Sequence, residues 1–551
     1  MQVQDAIAEI LKREGVETLI GYPVNPMFDA AAKANIRTVV VRQERIGIHM
    51  ADSFSRMNSG KKVGVFTMQS GPGTENAFGA VAQAWSESVP LVVIAGGYAR
   101  NQTNVFPYFS GLVNFQHITK SAEQVTDPAS LPHVLRRAFS TAKNGRPGPC
   151  FIEIPADIWT AEVPEPIDYE PVITARSAPD PRDVEAAAAA LVDAEHPLIY
   201  AGQGVHYAQA WAELKELAET LEAPVTTSLE GKSAFPEDHP LSLGSGGRSY
   251  PGPVEHALKE ADVIFGVGAS FTRTNYGIHF PKGPRYVHST NDARDLNKDI
   301  RASHALIGDA QITLSQLTEA VRERLGGKTR GLTEGIASRI SVQREEWMKQ
   351  WLPKLTDASA PISPYRVIWD LLQTVDVANT VITHDAGSPR DQISPFWKST
   401  APLTYLGWGK TTQLGYGLGL AMGAKLADPD KLCINYWGDA AIGMTGMDFE
   451  TAVRERIPIM SILSNNFSMA IELKAMAFST EKYRSTDISG NYADFAKALG
   501  GYGERVTDPS QIIPAIKRGI EKTKEGTPVL LEFITQKETE ISSWPAPNPG
   551  W

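Results

Sequence analysis

The chain has 551 residues, of which 42% are apolar and 21% are charged, and its formal net charge is −10. This length exceeds what one ordinary hydrophobic core supports, so we expect two to four domains. The acidic balance argues against binding to nucleic acid or to an anionic membrane, because both depend on a basic surface.

The start of the chain and its cysteines set expectations about location. The stretch "MQVQDAIAEILKREG" predicts an amphipathic helix with charges of both signs and not a signal peptide. No apolar run approaches the ~20 residues that a membrane span requires. Cys150 and Cys433 each lie inside an apolar stretch, which is typical of reduced core thiols. We therefore expect a cytoplasmic protein.

Helix and strand patterns alternate through residues 1–165. The strand patterns are "TLIGY", "RTVVVRQ", "KVGVFTM" and "PLVVIAGG", and helical patterns such as "RIGIHMADSFSRM" and "GTENAFGAVAQAWSE" lie between them. Continuous apolar strands separated by helices predict a parallel sheet covered on both faces. The acidic, Pro-rich segment Ala161–Pro181 is typical of an interdomain linker.

Two further α/β units come next, at 180–330 and 355–540. The central unit has strand patterns such as "PLIYAG" and "VIFGVGA", and the last has "NTVITHD", "LTYLG", "KLCINYWGD", "PIMSILSNN" and "PVLLEFI". We therefore predict an α/β fold class with three doubly wound parallel-sheet domains. The first and last units share a size and an alternation of strand and helix patterns, as expected of a duplicated fold. The Pro-rich tail 541–551 is either a surface arm or a flap that folds back.

Two strands of the last domain end in polar residues. Asp439 follows "KLCINYWG", Asn466 closes "PIMSILSNN", and "GMTGMDFETAVRER" between them predicts a helix. A right-handed parallel crossover puts both residues at one sheet edge, where neighbouring strands lie ~4.8 Å apart. Carboxylate and amide oxygens suit Mg²⁺ better than Zn²⁺, and a helix start is a usual seat of a phosphate. The pattern favours a Mg²⁺-bridged diphosphate and, equally, a carboxylate that only caps a helix.

The same stretch resembles a known cofactor motif. "GDAAIGMTGMDFETAVRERIPIMSILSNN" is similar to the thiamin-diphosphate motif that begins Gly-Asp-Gly and closes with Asn-Asn, with Ala440 at the second Gly. "GYPVNPMFDA", "SGPGTENAFGAVAQAWSESVPLVVIAGG" and "GYGLGLAMGAKLADPD" follow the acetolactate synthase-like family in order and spacing, over nearly the full chain. The resemblance implies a pyrimidine-binding first domain, a central domain and a diphosphate-binding third domain. It extends to 2-hydroxyacyl-CoA lyases, oxalyl-CoA decarboxylases and 2-oxoacid decarboxylases.

The resemblance also implies the residues that hold the metal and the diphosphate. Asp439, Asn466 and the backbone carbonyl of Ser468 would bind Mg²⁺. Ser388 and Arg390 follow a strand end within reach of the diphosphate, although a solvated loop explains them almost as well. The other positions assigned to cofactor binding are the Pro23–Val24 turn, Asn76, Gly438, Ala440 and Ala441.

Thiamin works only after its thiazolium C2 loses a proton to the cofactor's own 4′-amine, and this requires a carboxylic acid at the pyrimidine N1′. Glu44 occupies the family's position for that acid, and burial in an apolar pocket helps such a group to keep its proton. Its neighbours differ from the family's His-Glu-Gln, because this chain has Gln43-Glu44-Arg45. The resemblance further implies that Leu414 supports the folded cofactor and that the Thr412 carbonyl meets the 4′-amine.

The substrate pocket is where the chain departs most from the family. The family's Phe-Gln becomes Phe106-Pro107, so the Gln that positions acceptors in the synthases is missing. His49 lies five residues after Glu44 and matches a His of the synthases, so it either contacts substrate as a catalytic residue or is a structural residue of its helix. Glu472 lies at the offset of an active-site Glu in some 2-oxoacid decarboxylases, or on an exposed helix face.

We therefore predict a thiamin-diphosphate- and Mg²⁺-dependent lyase or transferase that makes or breaks a C–C bond next to a carbonyl. Its substrate would be a 2-oxo acid, a hydroxyketone or an acyl-CoA. The family builds each site from two chains, so a homodimer is the minimum that the resemblance implies, and a homotetramer is common. The synthases hold FAD in the central domain, but "GSGGRSYPG" lacks the pattern we would want, so FAD stays open.

Three alternatives accompany this prediction. A 2-hydroxyacyl-CoA lyase or oxalyl-CoA decarboxylase needs a nucleotide site in the central domain. A dinucleotide-dependent oxidoreductase is suggested by "AGQGVHYA" and "GVGAS", but no complete G-x-G-x-x-G opens a helix. An inactive homologue would have lost Glu44, which is present.

Overall fold

The structure is a computed structural model and describes residues 1–543. It contains three six-stranded sheets in which all paired strands run parallel, and this confirms the predicted fold class. The predicted tail lies outside the described residues from position 544 onward. Within residues 1–543, no helix has the length and apolarity needed to cross a membrane.

The first domain carries a sheet of order β2-β1-β3-β4-β6-β5. Its elements in chain order are α1 Val3–Arg13, β1 Thr18–Gly21, α2 Asn25–Lys33, β2 Arg37–Val40, α3 Glu44–Met57, β3 Gly64–Met68, α4 Pro72–Ser86, β4 Leu91–Gly97, α5 Gly111–Phe115, β5 Ser121–Gln124, α6 Leu131–Lys143 and β6 Pro149–Pro155. Successive residues of β3 belong to different core clusters, since Val65 packs with α1 and α6 whereas Phe66 packs with α3 and α4. The sheet is therefore buried on both faces, which explains its continuous apolar strands.

The central domain has the order β12-β11-β10-β7-β8-β9, the arrangement of a dinucleotide-binding fold. Its elements are α7 Pro181–Val192, β7 Pro197–Ala201, α8 Gly204–Ala208, α9 Trp211–Leu221, β8 Val225–Thr227, β9 Ser242–Ser245, α10 Gly252–Glu260, β10 Val263–Val267, β11 Arg285–Thr290, β12 His304–Ile307 and α11 Ala310–Arg324. A long helix, α12 Thr333–Leu355, then leads to the third domain.

The third domain repeats the strand order of the first, as β14-β13-β15-β16-β18-β17. Its elements are α13 Pro364–Thr374, β13 Thr380–His384, α14 Ser388–Ile393, β14 Tyr405–Leu406, α15 Tyr416–Ala427, β15 Leu432–Gly438, α16 Asp439–Thr445, α17 Phe449–Arg454, β16 Met460–Asn465, α18 Ala477–Tyr483, α19 Tyr492–Ala498, β17 Tyr502–Val506, α20 Ile512–Lys524 and β18 Val529–Ile534. The similar alternation of strand and helix patterns suggested this duplication, and the shared strand order supports it.

One predicted helix differs from the structure. We expected a single helix over "GMTGMDFETAVRER", but α16 already begins at Asp439 and a 3-10 turn, Gly446–Asp448, separates it from α17. The Asp448 side chain is used in this break, since it accepts hydrogen bonds from the Arg42 backbone N–H (2.7 Å) and from the Thr451 hydroxyl (2.9 Å). The break thus ties the third domain to the start of α3.

The first and third domains share one hydrophobic core through the contact of α3 with α15. Two glycines let the backbones approach, because a Cβ built on Gly423 would lie 2.0 Å from the Met50 carbonyl oxygen and one on Gly419 would lie 2.4 Å from the His49 Cβ. The close contact between α3 and α15 therefore depends on these two glycines of α15.

We predict that Gly423→Ala lowers the free energy of unfolding by about 1–3 kcal/mol, because the added methyl overpacks the contact between α3 and α15. Chemical denaturation measures this change. Gly335→Ala on α12 is the matched control, since a Cβ there has no atom within 4 Å. An exposed helix position gains stability from Ala, by about 1 kcal/mol. Equal stability of Gly423→Ala and wild type would contradict the close packing.

Candidate active site

The carboxyl edges of the first and third sheets face each other around the start of α3. Gln43 donates from its side-chain amide to the Met444 carbonyl (3.2 Å), and the Arg45 guanidinium donates to the Leu414 carbonyl. Glu44 lies between these two contacts and is only 5% exposed. It begins α3 and does not end a strand, because β2 stops at Val40.

Glu44 has one polar partner on the first domain. The Asn76 side-chain amide donates to its Oε2 (2.5 Å), and Gly73 brings backbone close, since a Cβ there would lie 3.3 Å from the Glu44 Oε1. Asn76 sits in the first turns of α4, directly beyond β3. Glu44 and Asn76, which were each assigned to cofactor binding, therefore lie in contact at the starts of α3 and α4.

The predicted metal ligands also converge. Asp439 and Asn466 each follow the last residue of the adjacent strands β15 and β16. The backbone N–H of Ser468 donates to both side chains, to Asp439 Oδ2 at 3.1 Å and to Asn466 Oδ1 at 3.0 Å. Burial raises the pKa of Asp439 to about 6.

This donor set fits a hard cation. A carboxylate, an amide oxygen and a backbone carbonyl are ligands that Mg²⁺ takes. Within residues 1–543, Asp439 is 3% exposed and forms no ion pair, and the buried Ser468 hydroxyl makes no hydrogen bond. The alternative that Asp439 caps its helix does not hold, because Asp439 is the first residue of α16 and Gly438 is the N-cap; the Asp439 Oδ1 accepts only the adjacent N–H of Ala440 (2.9 Å) from that helix.

The turn before α15 presents Leu414. Gly415 adopts a left-handed conformation (φ +87°), where a Cβ would lie 2.8 Å from the Thr445 Oγ1. Asp385 secures this turn, since its carboxylate accepts the backbone N–H groups of Gly415 (2.9 Å) and Gly417 (3.0 Å). Leu414 itself is half-buried against the shared core. The turn therefore places Leu414 near the start of α3, where the Arg45 guanidinium donates to its carbonyl.

Comparisons with known proteins agree with this arrangement. Three family profiles of the thiamine pyrophosphate enzymes match the chain: the N-terminal TPP binding domain at 1–126, the central domain at 184–317 and the C-terminal TPP binding domain at 385–533. The acetolactate synthase large subunit of Parasynechococcus marenigrum is 31% identical, over 91% of this chain and 83% of its own length.

The chain belongs to the thiamine pyrophosphate enzymes, in the acetolactate synthase-like group.

Two further relatives extend the similarity. A probable acetolactate synthase large subunit of Methanocaldococcus jannaschii is 29% identical, over 97% of this chain and 92% of its own length. The acetolactate synthase isozyme 3 large subunit of Escherichia coli K12 is 27% identical, over 98% and 95%. This chain is thus a thiamin-diphosphate-dependent enzyme, and neither the oxidoreductase alternative nor the acyl-CoA alternatives are favoured.

The profiles fall inside the predicted domain limits of the enzyme, which themselves stay predictions. Residues 164–180 form no helix or strand, as expected of the linker. Both cysteines are buried and free, as expected of core thiols.

His49 is fully enclosed between α3 and α15. Its Nε2 lies 2.9 Å from the Gln413 Oε1, and its ring meets Tyr416 edge-on with centroids 4.5 Å apart. Burial, followed by the charge of Arg45, lowers the pKa of His49 to about 3, so the imidazole is neutral. The His49 side chain has no solvent-exposed surface. A direct role on substrate stays a prediction, whereas its contact with the loop before Leu414 is observed.

Arg390 makes its observed contacts with Asp391 and with the central domain. It is 1% exposed, its Nε and Nη2 donate to the neighbouring Asp391 (2.7 and 3.0 Å), and its guanidinium stacks 4.3 Å from the Tyr276 ring centroid. The side chain therefore contacts the central domain, and its contact with the diphosphate stays a prediction. Ser388 starts α14 directly after Gly387, at the edge itself.

The remaining predicted residues take varied places. Gly438 ends β15, and Ala440 and Ala441 form the first turn of α16. Val24, with Pro23, forms the turn between β1 and α2. Their cofactor contacts, and a catalytic role for Glu472 on an exposed 3-10 turn, stay predictions.

The resemblance implies that the two sheet edges meet across a subunit interface, and this stays a prediction. In this structure both edges belong to one chain, because α3 packs on α15 of the same chain. The homodimer stays a prediction that this packing neither requires nor opposes.

Sequence reasoning missed several residues that shape the site. Asp385 follows a strand end in "ITHDAG", the same signal that identified Asp439, and could have been found. Arg45 and Gln83 act through contacts between domains, which no periodicity reveals.

We predict that Asp385→Asn lowers the free energy of unfolding by about 1–3 kcal/mol, because the amide cannot accept both N–H groups of the turn and leaves one buried donor unpaired. Differential scanning calorimetry gives the change. Asp193→Asn, at an exposed helix end, is the control and should stay within about 0.5 kcal/mol of wild type. An Asp385→Asn variant as stable as the control would exclude this role.

Proposed function

We propose that the enzyme is a Mg²⁺-dependent carboligase that decarboxylates one 2-oxo acid and joins the remaining acyl unit to a second. The observation that carries the proposal is the convergence of Glu44, Leu414 and Asp439 from two facing sheet edges. The names of its relatives, acetolactate synthases, supply the substrate class.

The metal would be held by Asp439, Asn466 and the Ser468 carbonyl. These three oxygens leave room in an octahedron for diphosphate oxygens and water, which is how Mg²⁺ usually binds phosphate ligands. The backbone N–H groups at the start of α16 add positive potential at the same edge.

When bound, thiamin diphosphate supplies the electron sink for the carbanion that forms next to a carbonyl. The chain supplies position and proton control. Glu44 would exchange a proton with the pyrimidine N1′, and the Asn76 side-chain amide, which donates to its carboxyl group, fixes the orientation of that group. The Thr412 carbonyl accepts no hydrogen bond from residues 1–543, so it is available to an amine donor. Leu414 offers an apolar surface on which a bent ligand can rest.

The acceptor substrate must be held differently from the synthases. Phe106 stands beside the position of the missing Gln, and its side chain is 93% exposed. Val105, Tyr108 and Val113 are exposed in the same segment, at 43%, 45% and 56%. Exposed apolar surface of this kind is typical of an interface. It supports a homodimer in which the segment is covered.

A nucleotide-bearing cofactor would occupy the cavity at the carboxyl edge of the central sheet. This cavity measures about 810 Å³, within the range of ligand sites. Gly202 and Gly268 bring backbone together there, since a Cβ on Gly202 would lie 2.4 Å from the Gly268 carbonyl oxygen, and Lys61, Arg146 and Arg176 add positive charge. FAD is the cofactor we propose. The visible absorbance of the purified enzyme tests it, and a colourless enzyme that takes up no flavin would exclude FAD.

We predict that Glu44→Gln binds thiamin diphosphate but loses about 10²- to 10⁴-fold in kcat, because an amide cannot exchange a proton with N1′. Steady-state kinetics with a 2-oxo acid measures the loss, and a binding titration measures cofactor affinity. Glu185→Gln, an exposed change on α7, is the control. Full activity of Glu44→Gln would remove Glu44 from the mechanism.

A further inference from the structure

Helix α4 of the first domain reaches the loop that precedes α15 in the third. Gln83 on α4 is 1% exposed, and both ends of its carboxamide are used. Its Nε2 donates to the Thr411 carbonyl (3.1 Å), while its Oε1 accepts the Thr411 hydroxyl (2.7 Å) and the Gln413 backbone N–H (3.1 Å). One side chain thus holds both neighbours of Thr412.

Glu87, one helical turn beyond Gln83, binds the same loop; we call the contacts of Gln83 and Glu87 with residues 409–413 the clamp. Its Oε1 accepts the backbone N–H groups of Gly409 (3.2 Å) and Lys410 (2.9 Å), and it also accepts the Gln83 amide (3.2 Å). The backbone of 409–413 is therefore tied to α4 on both sides of Thr412.

The far end of the loop is fixed from α3. His49 meets the Gln413 side chain, and Arg45 donates to the Leu414 carbonyl. The loop belongs to the third domain, but its position is fixed by hydrogen bonds to α3 and α4 of the first domain. Within residues 1–543, the Thr412 carbonyl accepts no hydrogen bond, whereas the carbonyls of Thr411 and Leu414 on either side of it do.

We propose that Gln83 is a positioning residue of the reaction, which sets the Thr412 carbonyl and the Leu414 side chain against the bound pyrimidine. This inference rests on the proposed function, because the loop position matters only if a cofactor lies on it. Only an amide fits the role. Met has the same length and no polar atom for these bonds, and Glu has no donor for the Thr411 carbonyl and adds a second carboxylate beside Glu87.

The test is the rate of hydrogen–deuterium exchange at C2 of bound thiamin diphosphate, measured by quenched-flow NMR at saturating cofactor and Mg²⁺. This rate, taken per bound cofactor, reports the placement of the 4′-amine and does not respond to a change in stability alone. We expect Gln83→Met to slow the exchange about tenfold to hundredfold, as sub-ångström to ångström misplacement does. Gln4→Met is the control and should exchange at the wild-type rate, because the Gln4 side chain lies in the first turn of α1 and donates to Gln2.

Each outcome decides the matter. Wild-type exchange per bound cofactor in Gln83→Met would overturn the proposal, whereas a wild type that neither binds nor exchanges would overturn the proposed function instead. If Gln83→Met does not fold, Thr411→Val removes the hydroxyl donor from the exposed side of the same contact. Thr411→Val should also slow exchange at C2, and an unchanged rate in this variant would overturn the proposal as well. In a folded double variant, Thr411→Val should add little to Gln83→Met, because both act through one contact.

Discussion

The close contact of α3 with α15 is the constraint on which the site depends. Gly419 and Gly423 allow the approach, and a buried network fixes its register. Arg56 on α3 pairs with Asp52 (2.7 Å) and donates to the Gly407 carbonyl (2.9 Å) and the Tyr416 hydroxyl (3.1 Å), while Tyr416 donates to Asp52. Removing one partner from such a buried pair is costly, by about 3–5 kcal/mol, because the other charge stays uncompensated.

This register matters because of the residues at which the two helices begin. Glu44 is the first residue of α3, and Leu414 lies two residues before the first residue of α15. A slip of one helix on the other would therefore separate the acid from the apolar support. Backbone contacts on either side, from Arg45 and Gln43, restrain the same geometry. The position of the Glu44 carboxyl group is thus determined by the packing between the two domains.

The sequence alone was a good guide to the residues that follow strand ends and a poor guide to the contacts between domains. Asp439 and Asn466 were readable because parallel strands with a helical crossover must end at one edge. Glu44 was assigned by resemblance. It follows β2 and Asn76 follows β3, and because β1 separates these strands in the sheet, the sequence did not predict their contact. Arg390 shows the limit, since nothing in "SPRDQ" indicates that its guanidinium stacks on Tyr276 of another domain. The two-part helix after Asp439 was missed for a related reason, because Asp448 is engaged by Arg42 from the first domain.

The central claim is that Asp439, Asn466 and the Ser468 carbonyl form a Mg²⁺ site that secures thiamin diphosphate beside Glu44. Calorimetric titration of metal-stripped enzyme with thiamin diphosphate, with and without Mg²⁺, tests it directly. Asp439→Ala serves as the matched variant that lacks the metal carboxylate. The account predicts saturable binding that requires both Mg²⁺ and Asp439. Binding of equal strength without the metal, or in Asp439→Ala, would contradict it.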